Sequence, residues 1–198
     1  MIFREATGDD AVAIACLHAE SWRSAYRGTF SDDFLDNRVH EERKNSWQAR
    51  FSGRESQPFF VLLAEDGGRL LGFACVFPDK DPLWGSYLDN LHVAPGRTGL
   101  GIGRGLLSEV VRRLETRGSR TGSAAASAAQ RTGGGACAPL YLWVVEQNHR
   151  ARRFYEKAGA KIVGSEVHTM PDGQSVVALR CHWPDSKKLL SETAKSAP

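Results

Sequence analysis

The sequence predicts an α/β domain with a mixed sheet of about seven strands flanked by about four helices. Short apolar and β-branched runs alternate along the chain with segments of helical periodicity. Turns that contain glycine or proline join two pairs of these runs into antiparallel hairpins. A third observation is a glycine-rich turn between a central strand and an amphipathic helix. With 198 residues in all, this pattern predicts one domain over residues 1–184.

The N-terminal half begins with a short strand at residues 2–6. Gly8-Asp9-Asp10 then favours the start of a helix, whose apolar and aromatic residues recur at helical spacing as far as Gly28. A second helical stretch covers residues 32–51, in two pieces. A Gly-Gly turn joins FFVLLAED to RLLGFACVF as a hairpin, and the central strand follows at residues 88–94.

The most informative segment joins this central strand to the next helix. The apolar stripe of that helix consists of Ile102, Leu106, Leu107, Val110, Val111 and Leu114. Glycine occupies positions 99, 101, 103 and 105 at its start. Because each glycine inside a helix costs about 1 kcal/mol relative to alanine, four glycines together indicate a ligand close to the backbone. Since a helix N-terminus has unpaired N–H groups and a positive dipole end, we expect this ligand to be a diphosphate.

The segment after this helix, residues 117–139, is rich in Gly, Ser and Ala and has no apolar periodicity. We expect a flexible surface insertion, although its alanines would support a short helix at residues 124–129. The strand LYLWVV comes next, followed by a helix that Asn148 caps and Gly159 ends. Two strands around a Pro-Asp-Gly turn complete the domain, and we expect residues 185–198 to form a disordered tail.

Composition argues against several classes of protein. The net charge is only +3 and the arginines are dispersed, which argues against a nucleic-acid partner. No apolar run approaches the length of a membrane span and the N-terminus lacks a signal-peptide core, so we expect a cytoplasmic protein with no membrane partner. The four cysteines form no C-x-x-C pair. His168 and His182 could face each other on the last hairpin, but without a third ligand we expect no metal.

Two common phosphate-binding loops do not fit the glycine turn. A P-loop requires a lysine after its glycines, and none is present here. The dinucleotide fingerprint G-x-G-x-x-G also fails, because Arg104 and Leu106 stand where its third glycine would be. A nucleotide-binding protein is therefore disfavoured.

The turn instead resembles motif A of the Gcn5-related N-acetyltransferase (GNAT) family, R/Q-x-x-G-x-G/A after a strand that ends in V-x-P. Here the motif is TGLGIG at residues 98–103 after Val-Ala-Pro, with threonine in the first position and Arg97 just before it. This departure matters little if backbone amides hold the phosphates. NHRARRFYEKAG at residues 148–159 is similar to the family's N-x-x-A-x-x-F-Y-x-x-x-G motif. The order of elements also resembles the GNAT order over nearly the whole chain, apart from the insertion and the tail.

The resemblance implies a GNAT-type acyl-CoA N-acyltransferase fold, in which the central strand and the strand after the motif-A helix splay apart. Acetyl-CoA would then lie between them like an added strand. The residues implied to bind it are Leu91, His92, Val93, Thr98, Gly99, Leu100, Gly101, Ile102, Gly103, Arg104, Asn148 and Tyr155. Among these, residues 99–104 would hold the pyrophosphate and Asn148 would reach the pantetheine arm. A backbone N–H near Val93 would serve the thioester oxygen.

Acetyl transfer to an amine requires a base for the amine and an acid for the departing thiolate. Tyr155 stands where the family usually has its general acid. A phenol with a pKa near 10 is protonated at neutral pH and can donate. The alternative is that Tyr155 is only a core aromatic on the same helical face as Phe154.

The base is less strongly indicated. By period-two alternation Asp89 and Tyr87 share a face with Leu91, and some family members carry their base at the matching positions. Asp89 is the predicted base, acting directly or through water, and a solvated aspartate is the alternative. His92 has a more suitable ordinary pKa but is expected on the opposite face. Glu146 is a third candidate.

In this family the acceptor pocket lies between the first helices, the central strand and the final hairpin. The residues that could line it here are Trp22, Arg23, Tyr26, Trp84 and Tyr87. The resemblance therefore implies an acetyl-CoA-dependent N-acetyltransferase that acetylates a primary amine of a small molecule, peptide or protein by direct attack in a ternary complex. The alternative is a non-catalytic acyl-CoA-binding sensor or regulatory module, which the presence of Tyr155 and Asn148 disfavours. A homodimer, common in the family, is compatible with either.

Overall fold

A seven-stranded mixed sheet forms the centre of the computed structural model, which describes residues 1–121, 138–187 and 189. Its strands are β1 (Ile2–Glu5), β2 (Phe60–Asp66), β3 (Arg69–Asp81), β4 (Gly85–Val93), β5 (Leu140–Val145), β6 (Lys161–Thr169) and β7 (Ser175–Trp183). Over the same residues the α-helices are α1 (Ala11–Ala25), α2 (Val39–Ala49), α3 (Ile102–Thr121) and α4 (His149–Lys157). A 3-10 turn at Gly8–Asp10 precedes α1, and π-helical turns at Phe34–Arg38 and Arg50–Arg54 flank α2. This architecture confirms the predicted fold class.

The strand order is β1-β2-β3-β4-β5-β7-β6, and every neighbouring pair is antiparallel except β4 and β5. These two strands are parallel and pair only at Ser86 with Leu140 and at Tyr87 with Tyr141. From residue 88 onward, no strand in the described part of the chain pairs with β4 on this side. The two strands therefore splay apart, as predicted, and leave a cleft in the middle of the sheet.

Helices cover the two faces of the sheet with separate apolar clusters. On one face α3 presents Leu106 and Val110, both fully buried, to side chains of the central strands. On the other face Ile14 of α1 and Trp47 of α2 pack against Phe73 of β3. Since fully burying one such side chain stabilises the fold by about 1.5–3 kcal/mol, these clusters hold the helices on either side of the cleft.

A β-bulge interrupts β4. Cys75 of β3 pairs with Asn90, and the next residue, Val76, pairs with Leu88, so that Asp89 is an extra residue in the ladder. A bulge breaks the period-two alternation of the strand, because two residues on one strand oppose one on its partner. The alternation of side chains between the two faces of the sheet is therefore shifted by one residue after Asp89.

This bulge corrects two predictions about β4. Leu91 packs into the α3 cluster, whereas Tyr87, Asp89 and His92 line a cavity on the α1 and α2 face. The prediction that Leu91 shares a face with Tyr87 and Asp89 is wrong, and so is the prediction that His92 points away from Asp89. Both rested on an unbroken alternation.

The helix α3 is longer than expected, since it continues to Thr121 where the sequence predicted an insertion from residue 117. Its last turns are anchored by Arg117, whose guanidinium carbon lies 4.8 Å from the ring centroid of Phe60 and whose Nη2 is 3.4 Å from Glu5. The rest of the predicted insertion up to residue 137, with the short helix at residues 124–129, lies outside the described residues.

The start of the predicted tail also differs from expectation. Ser186 and Leu189 are buried, and the Ser186 hydroxyl donates a hydrogen bond to the carbonyl oxygen of Ala138 at 2.8 Å. This contact holds the chain against the body of the domain directly after β7. Residues 190–198 lie outside the described residues.

Candidate active site at the split between two strands

The cleft exposes backbone groups on the edge of β4. The N–H of Ala94 donates to the carbonyl oxygen of Leu71 on β3 at 2.8 Å. Because backbone groups alternate along a strand, those of Leu91 and Val93 point away from β3 and into the cleft. Unpaired strand-edge groups of this kind form hydrogen bonds with extended ligands.

The glycine turn follows the end of β4 and is open to solvent. Gly99 and Gly101 have φ of +88° and +79°, in the left-handed region that glycine adopts without strain. A Cβ built on either residue would meet nothing within 4 Å, so the space above the backbone is free. The 20-residue helix α3 begins at Ile102, directly after this turn. Its unpaired N–H groups and its dipole make the turn suitable for a pyrophosphate.

Packing accounts for a glycine that the sequence analysis attributed to a ligand. A Cβ at Gly105 would lie 2.6 Å from Cζ of Phe3, so glycine lets the ring from β1 pack against α3. At Gly103 a Cβ would meet Phe154 at 3.5 Å, which is an ordinary contact. The structural case for phosphate binding therefore rests on Gly99 and Gly101.

Tyr155 projects from α4 into the core beside the cleft. It is 8% exposed, and its ring packs edge-to-face against Phe154 and Trp183 with centroid separations of 5.2 and 6.1 Å. Burial, with a smaller contribution from the neighbouring Tyr26, raises the pKa of the phenol well above its ordinary value. No side chain in the described ranges hydrogen-bonds to its hydroxyl. Tyr155 is thus a core aromatic with a protonated and unengaged hydroxyl.

Asn148 links α4 to α1. Its Oδ1 accepts a hydrogen bond from the N–H of Ala151 at 3.1 Å, which caps the helix as the sequence predicted. Its side chain also hydrogen-bonds to the hydroxyl of Tyr26. The side chain is therefore engaged within the protein, and its contact with a pantetheine arm stays a prediction.

A cavity of about 350 Å³ lies on the α1 and α2 face of β4. Its walls come from α1, α2, β4, β5 and the hairpin of β6 and β7. Three of the predicted acceptor residues, Trp22, Tyr26 and Tyr87, line it. The volume is in the range of small-molecule sites.

Two predicted acceptor residues lie elsewhere. Arg23 projects from α1 to the surface, where its Nη2 is 3.4 Å from Asp36. Trp84 packs edge-on against His182, with ring centroids 5.0 Å apart, and does not line the cavity. Neither side chain joins the cluster around β4.

The α2 segment contributes cavity residues that the sequence analysis missed, Arg43, Trp47 and Arg50. Their spacing of i, i+4 and i+7 is that of one helical face, so a signal was present. The guanidinium carbon of Arg43 lies 4.3 Å from the ring centroid of Trp22, and that of Arg50 lies 5.0 Å from the ring of Trp47. Cation–π contacts of this kind orient both guanidinium groups.

Asp89 forms a partly buried ion pair. Its Oδ2 accepts a hydrogen bond from Nη1 of Arg50 at 2.7 Å, with side chains that are 21% and 19% exposed. The hydroxyl of Tyr87 also hydrogen-bonds to this carboxylate, and burial followed by the charge of Asp89 raises the pKa of Tyr87. Asp89 is therefore held in place on the cavity wall and is not a solvated surface aspartate.

His92 lies on the same wall. Its Nδ1 is 2.8 Å from the hydroxyl of Ser21, and its ring centroid is 4.3 Å from that of His18 and 5.3 Å from that of Phe73. Burial, assisted by the charge of Arg43, lowers its pKa to about 3. The imidazole is therefore neutral at physiological pH.

Three further expectations concern histidines, metals and membranes. His168 and His182 do not face each other, because His168 pairs with Val176 and His182 with Lys161. Among the described residues there is no cluster of three or more His, Cys, Asp or Glu side chains that could hold a metal ion. No helix that these residues form is long and apolar enough to span a bilayer.

The amino-acid sequence matches a family model. Residues 19–132, more than half of the chain, match the model described as "Acetyltransferase (GNAT) family". The match runs from the second half of α1 through the glycine turn and α3. It therefore includes α2, the bulged strand β4 and the split edge.

Individual relatives agree with this match. The chain is 24% identical over 188 residues to YuaI of Bacillus subtilis (strain 168), described as an uncharacterized N-acetyltransferase, and covers 94% of each protein. Its fold is similar to the PaiA N-acetyltransferase of Thermoplasma acidophilum in complex with coenzyme A, with a TM-score of 0.60, 19% identity, and 89% and 96% coverage. It is also similar to YncA of Salmonella typhimurium, a putative acetyltransferase solved with acetyl-CoA, with a TM-score of 0.55, 19% identity and 92% coverage of both chains.

Proposed function

Because the chain belongs to the GNAT acetyltransferase family, we propose that this enzyme transfers an acetyl group from acetyl-CoA to a primary amine of a small molecule, peptide or protein. The amine attacks directly in a ternary complex, without a covalent enzyme intermediate. The observation that carries the proposal is the position of β4, which has an open backbone edge and a glycine turn on one side and a cavity of about 350 Å³ on the other.

The donor side of the site uses mainly backbone groups. The N–H groups of residues 99–104 bind the pyrophosphate, supported by the positive φ of Gly99 and Gly101 and the open space above them. Backbone groups of Leu91 and Val93 bind the pantetheine arm as an added strand would. Acetyl-CoA supplies the acetyl thioester, and an N–H near Val93 stabilises the charge that develops on the thioester oxygen.

The acceptor side uses the cavity wall. Asp89 is the proposed base, since two hydrogen bonds from Arg50 and Tyr87 leave lone pairs of its carboxylate for the ammonium proton, directly or through a water. His92 shares this wall and is the competing candidate. The Nδ1 of His92 is already within 2.8 Å of the Ser21 hydroxyl, whereas the carboxylate of Asp89 keeps free lone pairs, which favours Asp89.

Tyr155 is the proposed general acid. Its raised pKa keeps the phenol protonated throughout the physiological range, so its proton is available for the departing sulfur. The unengaged hydroxyl supports the role, because a purely structural tyrosine at this depth usually finds a hydrogen-bond partner.

Thermal unfolding with acetyl-CoA, CoA or ATP tests the donor site first. A ligand at a hundred times its Kd stabilises the fold by about 2.7 kcal/mol, which raises the Tm of a domain of this size by about 5–10 °C. We expect acetyl-CoA and CoA to raise the Tm and ATP to leave it unchanged. Free-thiol release with a panel of amines then tests transfer. Stabilisation without turnover of any amine would favour the sensor alternative, and no stabilisation at millimolar acetyl-CoA would refute the donor site.

A further inference from the structure

The cavity wall built by α1 and α2 carries more hydrogen-bond donors than acceptors. Arg43 and Arg50 line the cavity, whereas Asp89 is the only acidic lining residue among those the structure describes. The two cations are close to the buried imidazole of His18, whose pKa burial lowers and His92, Arg43 and Arg50 lower further. This imbalance bears on which amines the cavity accepts.

The guanidinium of Arg43 is held in place, but only some of its N–H groups are paired with an acceptor. Its side chain is 11% exposed and lies over the ring of Trp22. Glu42 binds the Nε and Nη2 edge of the guanidinium, with Nη2 2.5 Å from Oε1. Glu42 thereby orients the fork, and the two N–H groups of Nη1 have no acceptor within the described ranges.

Arg50 follows the same pattern about two helical turns further on. Its Nη1 donates to Asp89 and also lies 3.3 Å from Sγ of Cys75. Its Nε and Nη2 have no acceptor in the part of the chain that is described. A guanidinium has five N–H donors, so both arginines keep donors for a ligand.

His18 adds a buried donor to this wall. Its Nδ1 accepts the indole N–H of Trp47 at 3.0 Å, and since indole nitrogen only donates, the proton of the neutral ring is on Nε2. His18 is fully buried, and its Nε2 has no hydrogen-bond partner among the described residues. A buried donor left unpaired is costly, and because His18 lines the cavity, an acceptor bound there would remove this cost.

We propose that the acceptor is a small amine that also carries a carboxylate, an amino acid in chemical class. Arg43 and Arg50 bind its carboxylate with the help of His18, and Asp89 receives its ammonium group. A planar carboxylate matches the Nε and Nη2 fork that Arg50 leaves open, whereas an acceptor with several positive charges would leave the open N–H donors of both arginines unpaired. The inference rests on the proposed acetyl transfer, because it names the substrate class of that site.

Matched pairs of acceptors test this inference on the full chain. Free-thiol release is measured at saturating acetyl-CoA. Within each pair, the two amines differ only in the carboxylate. The pairs are L-phenylalanine and phenethylamine, L-histidine and histamine, and L-lysine and cadaverine. Spermidine and kanamycin form the polycationic arm, and O-phosphoethanolamine forms the phosphate arm. We expect a kcat/KM for at least one amino acid that exceeds that of its decarboxylated partner by about tenfold to a hundredfold, the range of charge-assisted hydrogen bonds.

Variants of Arg43 test whether this residue is responsible for the preference for the amino acid over its decarboxylated partner. In Arg43→Gln we expect the ratio within a pair to fall by about tenfold or more, whereas a purely structural loss would lower both members alike. Arg43→Lys, which keeps the charge without the planar fork, should restore part of the ratio. Lys44→Gln is the matched control, since it removes one charge from the same helix at an exposed position outside the cavity.

The outcomes separate this inference from the proposed function. If acetyl-CoA raises the Tm and the decarboxylated or polycationic amines turn over fastest, the carboxylate assignment is overturned and acetyl transfer stands. A preference for O-phosphoethanolamine also overturns it, in favour of phosphate. If acetyl-CoA gives no stabilisation and no amine is acetylated, the proposed function fails and the inference fails with it.

Discussion

Replacing Tyr155 with phenylalanine separates the catalytic role of the hydroxyl from the packing role of the ring. The ring is in edge-to-face contact with Phe154 and Trp183, and phenylalanine preserves both contacts. The hydroxyl has no hydrogen-bond partner in the described ranges, so the variant loses no internal hydrogen bond. We therefore expect the free energy of unfolding to be nearly unchanged.

Activity should respond very differently. If the hydroxyl protonates the departing thiolate, its loss should lower kcat by about a hundredfold to ten-thousandfold, the usual contribution of general acid catalysis. The affinity for acetyl-CoA should change little, because the ring remains. The wild-type enzyme should keep its kcat above pH 10, where an ordinary tyrosine would ionise, since burial raises the pKa of Tyr155.

The assays are urea unfolding, calorimetric binding of acetyl-CoA and steady-state thiol release. Tyr26→Phe provides the matched control for stability, because its hydroxyl is hydrogen-bonded to Asn148 and its removal should cost about 0.5–1.5 kcal/mol. An unchanged kcat in Tyr155→Phe would refute the acid role. A stability loss greater than that of Tyr26→Phe would show that the hydroxyl has a partner and that the reasoning from its isolation is wrong.

The remaining predictions concern the glycine turn, the base and acid stability. Gly101→Glu should abolish acetyl-CoA binding in calorimetry, because it adds a side chain and a negative charge at the proposed pyrophosphate site. The control is Gly68→Glu in the β2–β3 turn, where φ is +74°. It should cause similar backbone strain but leave acetyl-CoA binding normal. Asp89→Asn should lower kcat about a hundredfold or more, whereas Glu146→Gln, at an exposed position directly after β5, should leave it unchanged. Equal effects of the two variants on thiol release would contradict the assignment of Asp89 as the base. Asp10 has its pKa lowered from 3.8 to about 2 by hydrogen bonds from Arg4, so it contributes about 2 kcal/mol that is fully present above pH 4 and lost as the pH falls to 2. Urea unfolding should therefore show Asp10→Asn less stable than wild type at pH 7 and nearly equal to it at pH 2, and a difference independent of pH would contradict this linkage.

Much of the fold was predictable because its signals are local. Hairpin turns, helical stripes and the strand before the glycine turn each depend on residues close together in sequence. The end of α3 was missed for the opposite reason. Arg117 is held there by Phe60 and Glu5, which are remote in sequence, so tertiary contacts extended a helix that composition suggested should stop.

The site was predicted less completely than the fold. Trp22, Tyr26 and Tyr87 were predicted to lie together and do line one cavity, but the face of the α2 segment with Arg43 and Arg50 was not predicted to join them. Its spacing was visible, yet an arginine at helical spacing is by default a solvated residue, and only the packing of α2 beside β4 turns it toward a cavity. The unpaired Nε2 of His18 has no sequence signal at all.

In the proposed mechanism, the bulge at Asp89 lets one strand contact both substrates. Leu91 and Val93 are held against the α3 cluster by apolar packing, which leaves their backbone groups in the cleft. With strict alternation the same packing would turn Asp89 into that cluster, away from Arg50, and an unpaired carboxylate there would cost several kcal/mol. The extra residue lets the strand change face, so that Asp89 pairs with Arg50 and lines the cavity. The bulge therefore places the open backbone edge and the cavity wall, the proposed donor and acceptor sides, on a single strand.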